Sequence, residues 1–276
     1  MTPDFLAIGH VAKDLTRDGY VLGGAVTYAA LTAKSLGLSA AVVTSCGPDI
    51  DPHAALPDIP MHIVASEETT TFANVYERGR RRQSILGVAV NLSDSDVPPD
   101  WRRAPLVLLG PVARELEDSN ASAFGRQTVG ASIQGWLRSW DDTGEVSPRR
   151  WSGDGLLPGM AVAIFSDDDS PEEDQIANWA GLCPVLIHTH GGEGYSVHVQ
   201  GRWHHLPAFP ANEVDATGAG DVFAAAYLIR FQESGDPLVA ARFASAAASF
   251  CVEAEGAAGI PTMAQVEDRL WTRRGR

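Results

Sequence analysis

Short apolar runs alternate along the chain with amphipathic stretches, and this alternation predicts the order of the elements. Residues 5–8 form an apolar run closed by Gly9, and residues 40–44 form a second apolar run. Between them, residues 25–36 have a helical period that stops at Gly37. A strand, a helix and another buried strand in this order predict a parallel, right-handed βαβ unit.

The later part of the chain continues this alternation. Further apolar runs predict strands over residues 105–110, 129–133, 160–165, 185–189, 195–199 and 203–206. Two long helical stretches, 222–233 and 237–253, are separated at Gly235. The pattern therefore predicts an α/β fold of three layers, in which helices cover both faces of a mainly parallel sheet.

Residues 61–90 depart from the alternating pattern. Extended runs at 61–64, 69–76 and 84–90 follow one another without a helix. Successive strands inside an alternating chain predict a separate small sheet, here placed at about residues 61–90. The stretch 91–104 is rich in Asp, Ser and Pro and predicts a linker back to the main body. We expect one domain over residues 1–276 that contains this small sheet.

Charge and composition narrow the function class. The chain has 276 residues with 21 basic and 35 acidic side chains, so its formal charge is −14, which argues against a nucleic-acid partner. The cysteines, at positions 46, 183 and 251, have neither zinc-site nor disulfide spacing, which predicts a reducing compartment. No signal-peptide pattern and no apolar run of about 20 residues is visible. We expect a cytoplasmic protein without a membrane partner.

The strongest chemical signal is Asp-Ala-Thr-Gly-Ala-Gly-Asp at residues 215–221, directly before a predicted helix. The first N–H groups of a helix are unpaired and carry the positive end of its dipole. Gly218 and Gly220 let backbone amides approach an anion, and Asp221 could take a proton from an attacking hydroxyl. This predicts phosphoryl transfer, and a simple helix cap remains the alternative. A P-loop run is absent, and the third glycine of a dinucleotide site is missing.

This motif resembles the Asp-Thr-x-Gly-Ala-Gly-Asp signature of the PfkB/ribokinase-like carbohydrate kinases, with Ala216 in place of the usual Thr. The resemblance implies a ribokinase-like fold and transfer of the γ-phosphate of ATP to a hydroxyl of the substrate. It assigns Gly218, Ala219 and Gly220 to stabilising the transferring phosphoryl group and Asp221 to the general base. A sugar- or nucleotide-binding member without catalysis is the alternative from another class.

The same resemblance implies a substrate site. It assigns Asp14, expected just after the first strand, to the substrate hydroxyls, and the pair Gly23-Gly24 to a helix opening against the substrate, although a flexible helix entry would also explain the glycines. Tyr28 stands where the family usually has Asn, which argues against ribose because a polar contact becomes an aromatic wall.

The predicted small sheet is implied to be a lid over the substrate and, in a homodimer, the contact between subunits; a monomer remains open. Asn74 and Tyr76 alternate along one lid strand and would offer polar contacts to a polyol. The stretch from Gln134 to Arg138 is similar to plant-type myo-inositol kinases, so both residues are expected at the substrate. A buried Gln that satisfies neighbouring backbone is the alternative. Myo-inositol is favoured, with a nucleoside, pentose or hexose as alternatives.

The resemblance also implies a donor site. ATP binding is assigned to Ser166, Asp169, Thr189, Gly191, Gly194, Thr217, Gly218, Gly220 and Ala247. Ser166-x-x-Asp169 keeps the spacing of the family's Asn-x-x-Glu, so Asp169 is expected to hold Mg²⁺ through water, and Asp215 to contact a monovalent cation such as K⁺. A helix cap for the acids and a plain glycine turn after Thr189 stay open. His188 and His190 are predicted to point to opposite faces of a strand and so to be poor joint metal ligands.

Overall fold

The computed structural model of the chain describes residues 1–77, 80–117, 124–125 and 127–272, and for residues 75–77, 80 and 81 it describes the backbone alone. The predicted substrate contact of Tyr76 therefore falls on a side chain outside the described part. Of the described helices, none is long and apolar enough to cross a membrane.

The strands and helices follow the predicted alternation. The strands are β1 Phe5–Ile8, β2 Ala12–Thr16, β3 Gly19–Gly23, β4 Ala40–Cys46, β5 Met61–Ala65, β6 Thr71–Glu77, β7 Arg80–Gly87, β8 Leu106–Leu109, β9 Thr128–Ser132, β10 Arg138–Trp140, β11 Val146–Pro148, β12 Val162–Ser166, β13 Val185–Thr189, β14 Tyr195–Val199 and β15 Arg202–Leu206. The helices are α1 Ala25–Ser35, α2 Pro52–Ala55, α3 Glu173–Leu182, α4 Ala219–Ser234, α5 Pro237–Cys251 and α6 Met263–Thr272.

The main sheet has nine strands in the order β15-β14-β13-β12-β9-β8-β1-β4-β5. Neighbouring strands are parallel from β13 to β5, and the β13–β14 and β14–β15 pairs are antiparallel. The carboxyl ends of the parallel strands lie at one edge of the sheet, where α/β folds place their ligands. The predicted mainly parallel α/β fold is confirmed.

Two apolar cores cover the two faces of this sheet. Alternate residues of one strand go to opposite cores, as with Ile164 and Phe165 of β12. One core is completed by α1, α4 and α5, whereas the other contains Trp179 of α3. Helices on both faces produce the predicted three layers.

The small sheet is built differently from the prediction. It has the strand order β3-β2-β6-β7, whereas β5 pairs in parallel with β4 and extends the main sheet. Residues 12–23, expected to be a loop, form the β2–β3 hairpin with a two-residue turn at Arg17 and Asp18. The dipeptide Asp18-Gly19 lies between two short stretches that contain both polar and apolar residues, and Asp-Gly in such a context is a known sequence signal for a hairpin. As a result, Asp14 lies inside β2 of the small sheet, and the predicted position at the end of a main-sheet strand is wrong.

A second hairpin, β10–β11, joins the small sheet to the main body. Ser84 of β7 forms an isolated bridge with Glu145 in the hairpin loop, and the amide of Ile85 donates to the carbonyl of Gly144. The guanidinium of Arg82 also contacts both carboxylate oxygens of Glu145 at 2.9 Å. The small sheet and this hairpin therefore form one continuous structure over the main sheet. We call the four strands β2, β3, β6 and β7 the lid.

Candidate active site

The predicted anion hole lies at the N-terminus of α4. Gly218 precedes the helix with φ 80 and ψ −5, a left-handed conformation that favours glycine. Ala219 donates to the carbonyl of Ala216, whereas the amides of Gly218, Gly220 and Asp221 donate no hydrogen bond within the described residues. Gly220 is exposed, so these donors are accessible to a ligand. The arrangement suits an anion with several oxygens.

Tyr28 lies beneath the glycine loop. Its side chain is 5% exposed, and a Cβ added to Gly218 would come within 2.2 Å of Cδ1 of its ring. Burial first, and then the charges of Cys251, Asp215, Asp221 and Asp14, raise the pKa of the tyrosine above its ordinary value. The ring supports the loop from below, so little of it is left to form the substrate wall that the sequence predicted.

Asp215 ties the loop to the segment after α5. One carboxylate oxygen accepts from the amide of Thr217 and the other from the amide of Gly256, both at 2.9 Å. Burial works against the charge, yet these hydrogen bonds outweigh it and keep the pKa of Asp215 below its ordinary value. The carboxylate thus stays ionised and joins the two segments predicted to hold a monovalent cation.

Asp221 occupies the first turn of α4 and is partly buried. Burial raises the pKa of its carboxyl group to about 7; the charge of Arg138 lowers this pKa, and the charges of Asp169 and Asp14 raise it. The structure therefore brings these three residues, predicted for substrate and donor, into the electrostatic surroundings of Asp221. A carboxylate with a pKa near neutrality matches the requirement of a general base.

The lid contributes polar side chains on its inner face. Asp14 pairs with Phe72 in the β2–β6 register, so both side chains lie on one face, which Asn74 shares. A Cβ added to Gly23 would lie 2.4 Å from Oδ2 of Asp14, so glycine leaves the space that this carboxylate fills. Asn74 accepts a hydrogen bond of 3.0 Å from Gln83 across the strands. Gly24 ends the lid segment and begins α1 as its cap.

Arg138 connects the lid with the main body. Its guanidinium donates to the carbonyl of Val112 at 3.1 Å and to Oε1 of Gln134 at 2.7 Å. It also lies over the ring of Phe72 at 5.5 Å from the centroid. Gln134, in the 3-10 turn before β10, thus orients the arginine.

The predicted donor residues lie at the carboxyl ends of β12 and β13. Ser166 and Thr189 are register partners, and Asp169 accepts from both the amide and the hydroxyl of Ser166 in a capping box. Burial raises the pKa of Asp169 above its ordinary value. The capping alternative is therefore present in the structure, while Oδ1 of Asp169 makes no hydrogen bond within the described residues and fits the predicted water-mediated contact with Mg²⁺.

The loop after Thr189 forms the predicted turn. Gly191 begins a single 3-10 turn and Gly194 follows it, before β14. Thr189 itself donates to the carbonyl of Phe165 at 3.3 Å. A cavity of about 370 Å³ opens here, lined by His190, Glu193, Tyr195, Ser196, His205, Leu206 and Pro207. Thr217 is exposed beside the glycine loop, whereas Ala247 is fully buried within α5 and presents no surface to a ligand in this conformation.

A buried carboxylate that sequence reasoning missed supports the junction below the lid. Glu115 is fully buried and accepts from the amides of His10, Val112 and Ala113. His10 is also fully buried, and its ring contacts Thr70 Oγ1 and the carbonyl of Val90. Glu115 follows Arg114 in the sequence, and this charged pair gave no local signal that the acid is buried. These contacts hold the ends of β1 and β8 against the start of the lid.

His188, His190 and Asp167 converge, contrary to the prediction for the two histidines. Their rings lie 4.1 Å apart between centroids, and both contact Asp167. Residues two apart along a strand point to the same face, and β13 extends to Thr189, so the predicted opposite faces were wrong: His188 and His190 lie on one side of the backbone of Thr189. Burial first, and then the charge of His190, lower the pKa of His188.

Known proteins similar to this chain are carbohydrate and nucleoside kinases. The sequence profile described as pfkB family carbohydrate kinase matches residues 161–263. A nucleoside kinase of Methanothermobacter thermautotrophicus is 26% identical over 92% of this chain and 90% of its own length. The chain is therefore similar to the PfkB carbohydrate kinases. It is a phosphotransferase with an alcohol group as acceptor.

Solved structures agree with this PfkB fold. Arabidopsis thaliana ribokinase, in complex with ribose and ATP, has a TM-score of 0.77 at 23% identity and covers 98% of this chain and 99% of its own. A pyrophosphate-dependent kinase of the ribokinase family, in complex with a pyrophosphate analog and myo-inositol, has a TM-score of 0.78 at 20% identity over 96% of this chain and 99% of its own. At these identities the likeness shows the ribokinase fold alone.

Proposed function

We propose that this PfkB kinase transfers the γ-phosphate of ATP to a hydroxyl of a small polyol, with Asp221 as the general base. The observation that carries the proposal is the position of Asp221: a carboxyl group with a pKa of about 7 adjoins backbone amides that have no hydrogen-bond partner in the described residues. The base and the phosphoryl-binding donors thus lie on one helix turn. The helix-cap alternative accounts for the glycines and leaves the raised pKa of Asp221 without a role.

In the proposed reaction, the acceptor hydroxyl gives its proton to Asp221 while its oxygen forms a bond to the γ-phosphorus. The bond between this phosphorus and the β,γ-bridging oxygen breaks, and ADP leaves with the bonding electron pair. The amides of Gly218 and Gly220, with Ala219 between them, would stabilise the charge on the phosphoryl oxygens. Asp14 would hold other hydroxyls of the substrate on the lid side.

The donor assignment extends the same proposal. Ser166 and Thr189 lie at the carboxyl ends of β12 and β13, and Thr217 lies in the glycine loop. Gly191 and Gly194, in the turn after β13, leave room for a nucleotide. Mg²⁺, when bound, would neutralise charge on the donor phosphates, and Asp169 would hold it through water. Asp215, which stays ionised, would contact K⁺ together with the segment at Gly256 to which it is hydrogen-bonded. The ATP complex of the similar ribokinase supports ATP as the phosphate donor. The similar pyrophosphate-dependent kinase makes pyrophosphate the second donor to test.

The acceptor is proposed to be a cyclic polyol, with myo-inositol first. The myo-inositol complex of a similar kinase supports this class, and ribose and nucleosides are the acceptors suggested by the other two relatives. Asp14, Asn74, Gln134 and Arg138 supply a carboxylate, two amides and a guanidinium around the site. Such groups suit an acceptor that presents hydroxyls in several directions.

A coupled assay tests the proposal by following phosphate transfer from ATP or pyrophosphate, with Mg²⁺, to inositols, nucleosides, pentoses and hexoses. We expect turnover with one acceptor class and one preferred donor. Saturable ATP binding with no transfer to any acceptor would instead support a non-catalytic binding protein. Transfer that does not depend on the carboxylate of Asp221 would contradict its assigned role.

The pH dependence of kcat/KM tests the contact between Arg138 and Asp221. Since only the ionised carboxylate can accept the proton, activity should rise as the pH increases through about 7. Arg138 stabilises that ionised form, so Arg138→Gln should shift the acid limb of the profile to higher pH. Arg150→Gln removes the same charge from an arginine that pairs with Glu172 and Asp174 at the surface, and should leave the limb in place. An unshifted profile in Arg138→Gln would refute this electrostatic contact.

The oligomeric state is proposed to depend on the lid. Large apolar side chains exposed on its strands are Leu15, Tyr20, Val21 and Leu86. An uncovered sheet with exposed apolar residues is suited to pairing with a second copy. The chain would then be a homodimer through the lid, and a monomer by sedimentation at assay concentrations would exclude this assembly.

A further inference from the structure

Three potential metal ligands converge at the ends of two parallel strands. His188 is the penultimate residue of β13, His190 directly follows this strand, and Asp167 directly follows the neighbouring β12. Nε2 of His188 lies 2.6 Å and Nδ1 of His190 lies 3.1 Å from Oδ1 of Asp167. One ligand atom from each residue falls within 4.8 Å of the others. We call these residues the His–Asp cluster.

The bonding around His188 points to a missing partner. Its Nε2 is buried and makes no hydrogen bond within the described residues, although the carboxylate of Asp167 is 2.6 Å away. The ring is held in place because it stacks on Phe165 at 4.3 Å between centroids. A fixed, buried nitrogen beside a carboxylate oxygen places two potential metal ligands next to each other.

His190 has the outer contact typical of a metal-bound histidine. Its Nε2 lies 2.8 Å from Oγ of Ser196, which in turn lies 2.8 Å from Nδ1 of His205. If Nε2–H donates to Ser196 and the hydroxyl donates to His205, then Nδ1 of His190 presents its lone pair toward Asp167. Metal-ligating histidines commonly donate their second ring N–H in this way, which fixes the tautomer.

We propose that the His–Asp cluster binds a divalent transition ion of the zinc type, with Asp167, His188 and His190 as its protein ligands. Two imidazoles and one carboxylate suit zinc, whereas Mg²⁺ prefers oxygen ligands. Bond lengths of about 2.0–2.2 Å place neighbouring ligand atoms roughly 3.3 Å apart. The two nitrogen–oxygen distances, 2.6 and 3.1 Å, are shorter than this, so the side chains would separate by less than about 1 Å to admit the ion. Asp167 is 60% exposed, so further coordination positions are open to solvent.

The placement gives the ion a defined structural effect. Asp167 follows Ser166 in the chain, and the two histidines flank Thr189. Because neighbouring residues of a strand point to opposite faces, the metal ligands lie on the face opposite the proposed donor residues Ser166 and Thr189. The ion would cross-link the end of β12 to the end of β13 and hold both donor residues in register. This site does not include Asp169, the residue proposed to contact Mg²⁺. Binding of the ion by the His–Asp cluster would be the same whichever acceptor the kinase uses.

Equilibrium dialysis of the chelator-treated full chain against Zn²⁺ tests the site, with Co²⁺ absorption as a second readout. We expect one Zn²⁺ per chain, visible d–d bands with Co²⁺, and binding that excess Mg²⁺ does not displace. Asp167→Ala and His188→Gln should each weaken the affinity by about 100-fold or more, and Ser196→Ala by about 10-fold through the outer contact. His62→Gln, an exposed histidine of β5, is the matched control and should bind as the unaltered chain does.

Several outcomes would overturn the proposal. Absence of saturable Zn²⁺ and Co²⁺ binding by the unaltered chain would show that the cluster is an ordinary carboxylate–imidazole contact. Binding that survives in Asp167→Ala would place the ion elsewhere. Circular dichroism of each variant distinguishes a lost site from a lost fold, and His190→Gln serves as a second ligand variant if His188→Gln does not fold.

Discussion

Asp221→Asn should lower kcat by about 10²- to 10⁴-fold, with a smaller change in the binding of substrate and donor. The amide keeps the size of the side chain and cannot accept the proton of the acceptor hydroxyl. Asp142→Asn makes the same change at an exposed position of the β10–β11 hairpin and should retain full activity. Steady-state kinetics with the preferred donor and acceptor measures both variants. Near-full activity of Asp221→Asn would remove this residue from the mechanism.

The same substitution should increase stability in a way that depends on pH. The carboxyl of Asp221 has a folded-state pKa of about 7 against an ordinary value of 3.8, so ionising it destabilises the folded chain. Well below pH 3.8 the group is protonated in both states, and its cost to stability accumulates as the pH rises from about 4 to about 7 and stays constant above that. Thermal unfolding should therefore show a higher Tm for Asp221→Asn than for the unaltered chain at pH 8, and nearly equal values at about pH 3. This behaviour would also show that the inactive variant is folded.

Gly218→Ala should damage both stability and catalysis. Its φ of 80 is unfavourable for alanine, and the new Cβ would lie 2.2 Å from the buried ring of Tyr28. Strain and overpacking together should cost about 2–4 kcal/mol of unfolding free energy. Displacement of the loop amides should lower kcat by about 10²- to 10³-fold. Denaturant unfolding and kinetics measure the two effects. Gly218→Ala should cost less stability in a Tyr28→Ala background than in the unaltered chain, because the clashing ring is absent there.

Gly220→Ala separates the catalytic role of the loop from its structural role. A Cβ at Gly220 meets nothing within 4 Å, and alanine in the first turn of α4 should raise stability slightly. The methyl group would occupy space where the phosphoryl group is proposed to lie, so we expect kcat to fall by about 100-fold. A stable and fully active Gly220→Ala protein would favour the helix-cap interpretation of the motif.

Hydrophobic periodicity was enough to predict most of the main sheet, because buried strands and their helices carry strong local patterns. The run 185–189, for example, coincides with β13. The lid was harder to predict, since β2 and β3 are short strands that are largely exposed or half-exposed. The pairing of β2 with β6 is a long-range contact, whereas periodicity reports only local structure. The run at 61–64 gave the opposite error, because an edge strand of the main sheet and a lid strand have similar patterns.

The site, too, has one part that the sequence predicted and another part that only the fold reveals. The glycine loop and Asp221 could be located from the sequence because the motif is contiguous and lies at a helix N-terminus. The electrostatic environment of Asp221 could not, since Asp14, Arg138 and Asp169 are far apart in the chain and the fold brings them together. The convergence of His188 and His190 follows from the period of two in a strand, whereas their approach to Asp167 depends on the pairing of β12 with β13, which local sequence does not report.

The stacking of Arg138 on Phe72 has an evolutionary consequence. Phe72 belongs to the lid, where acceptor preference would be selected, and Arg138 helps to set the proton affinity of Asp221. A lid substitution that moves Phe72 can reach the general base through one intervening side chain. With Asp221 as the proposed general base, acceptor choice and pH optimum would not be independent traits, and a lineage that adapts to a new acceptor would inherit a changed pH response with it.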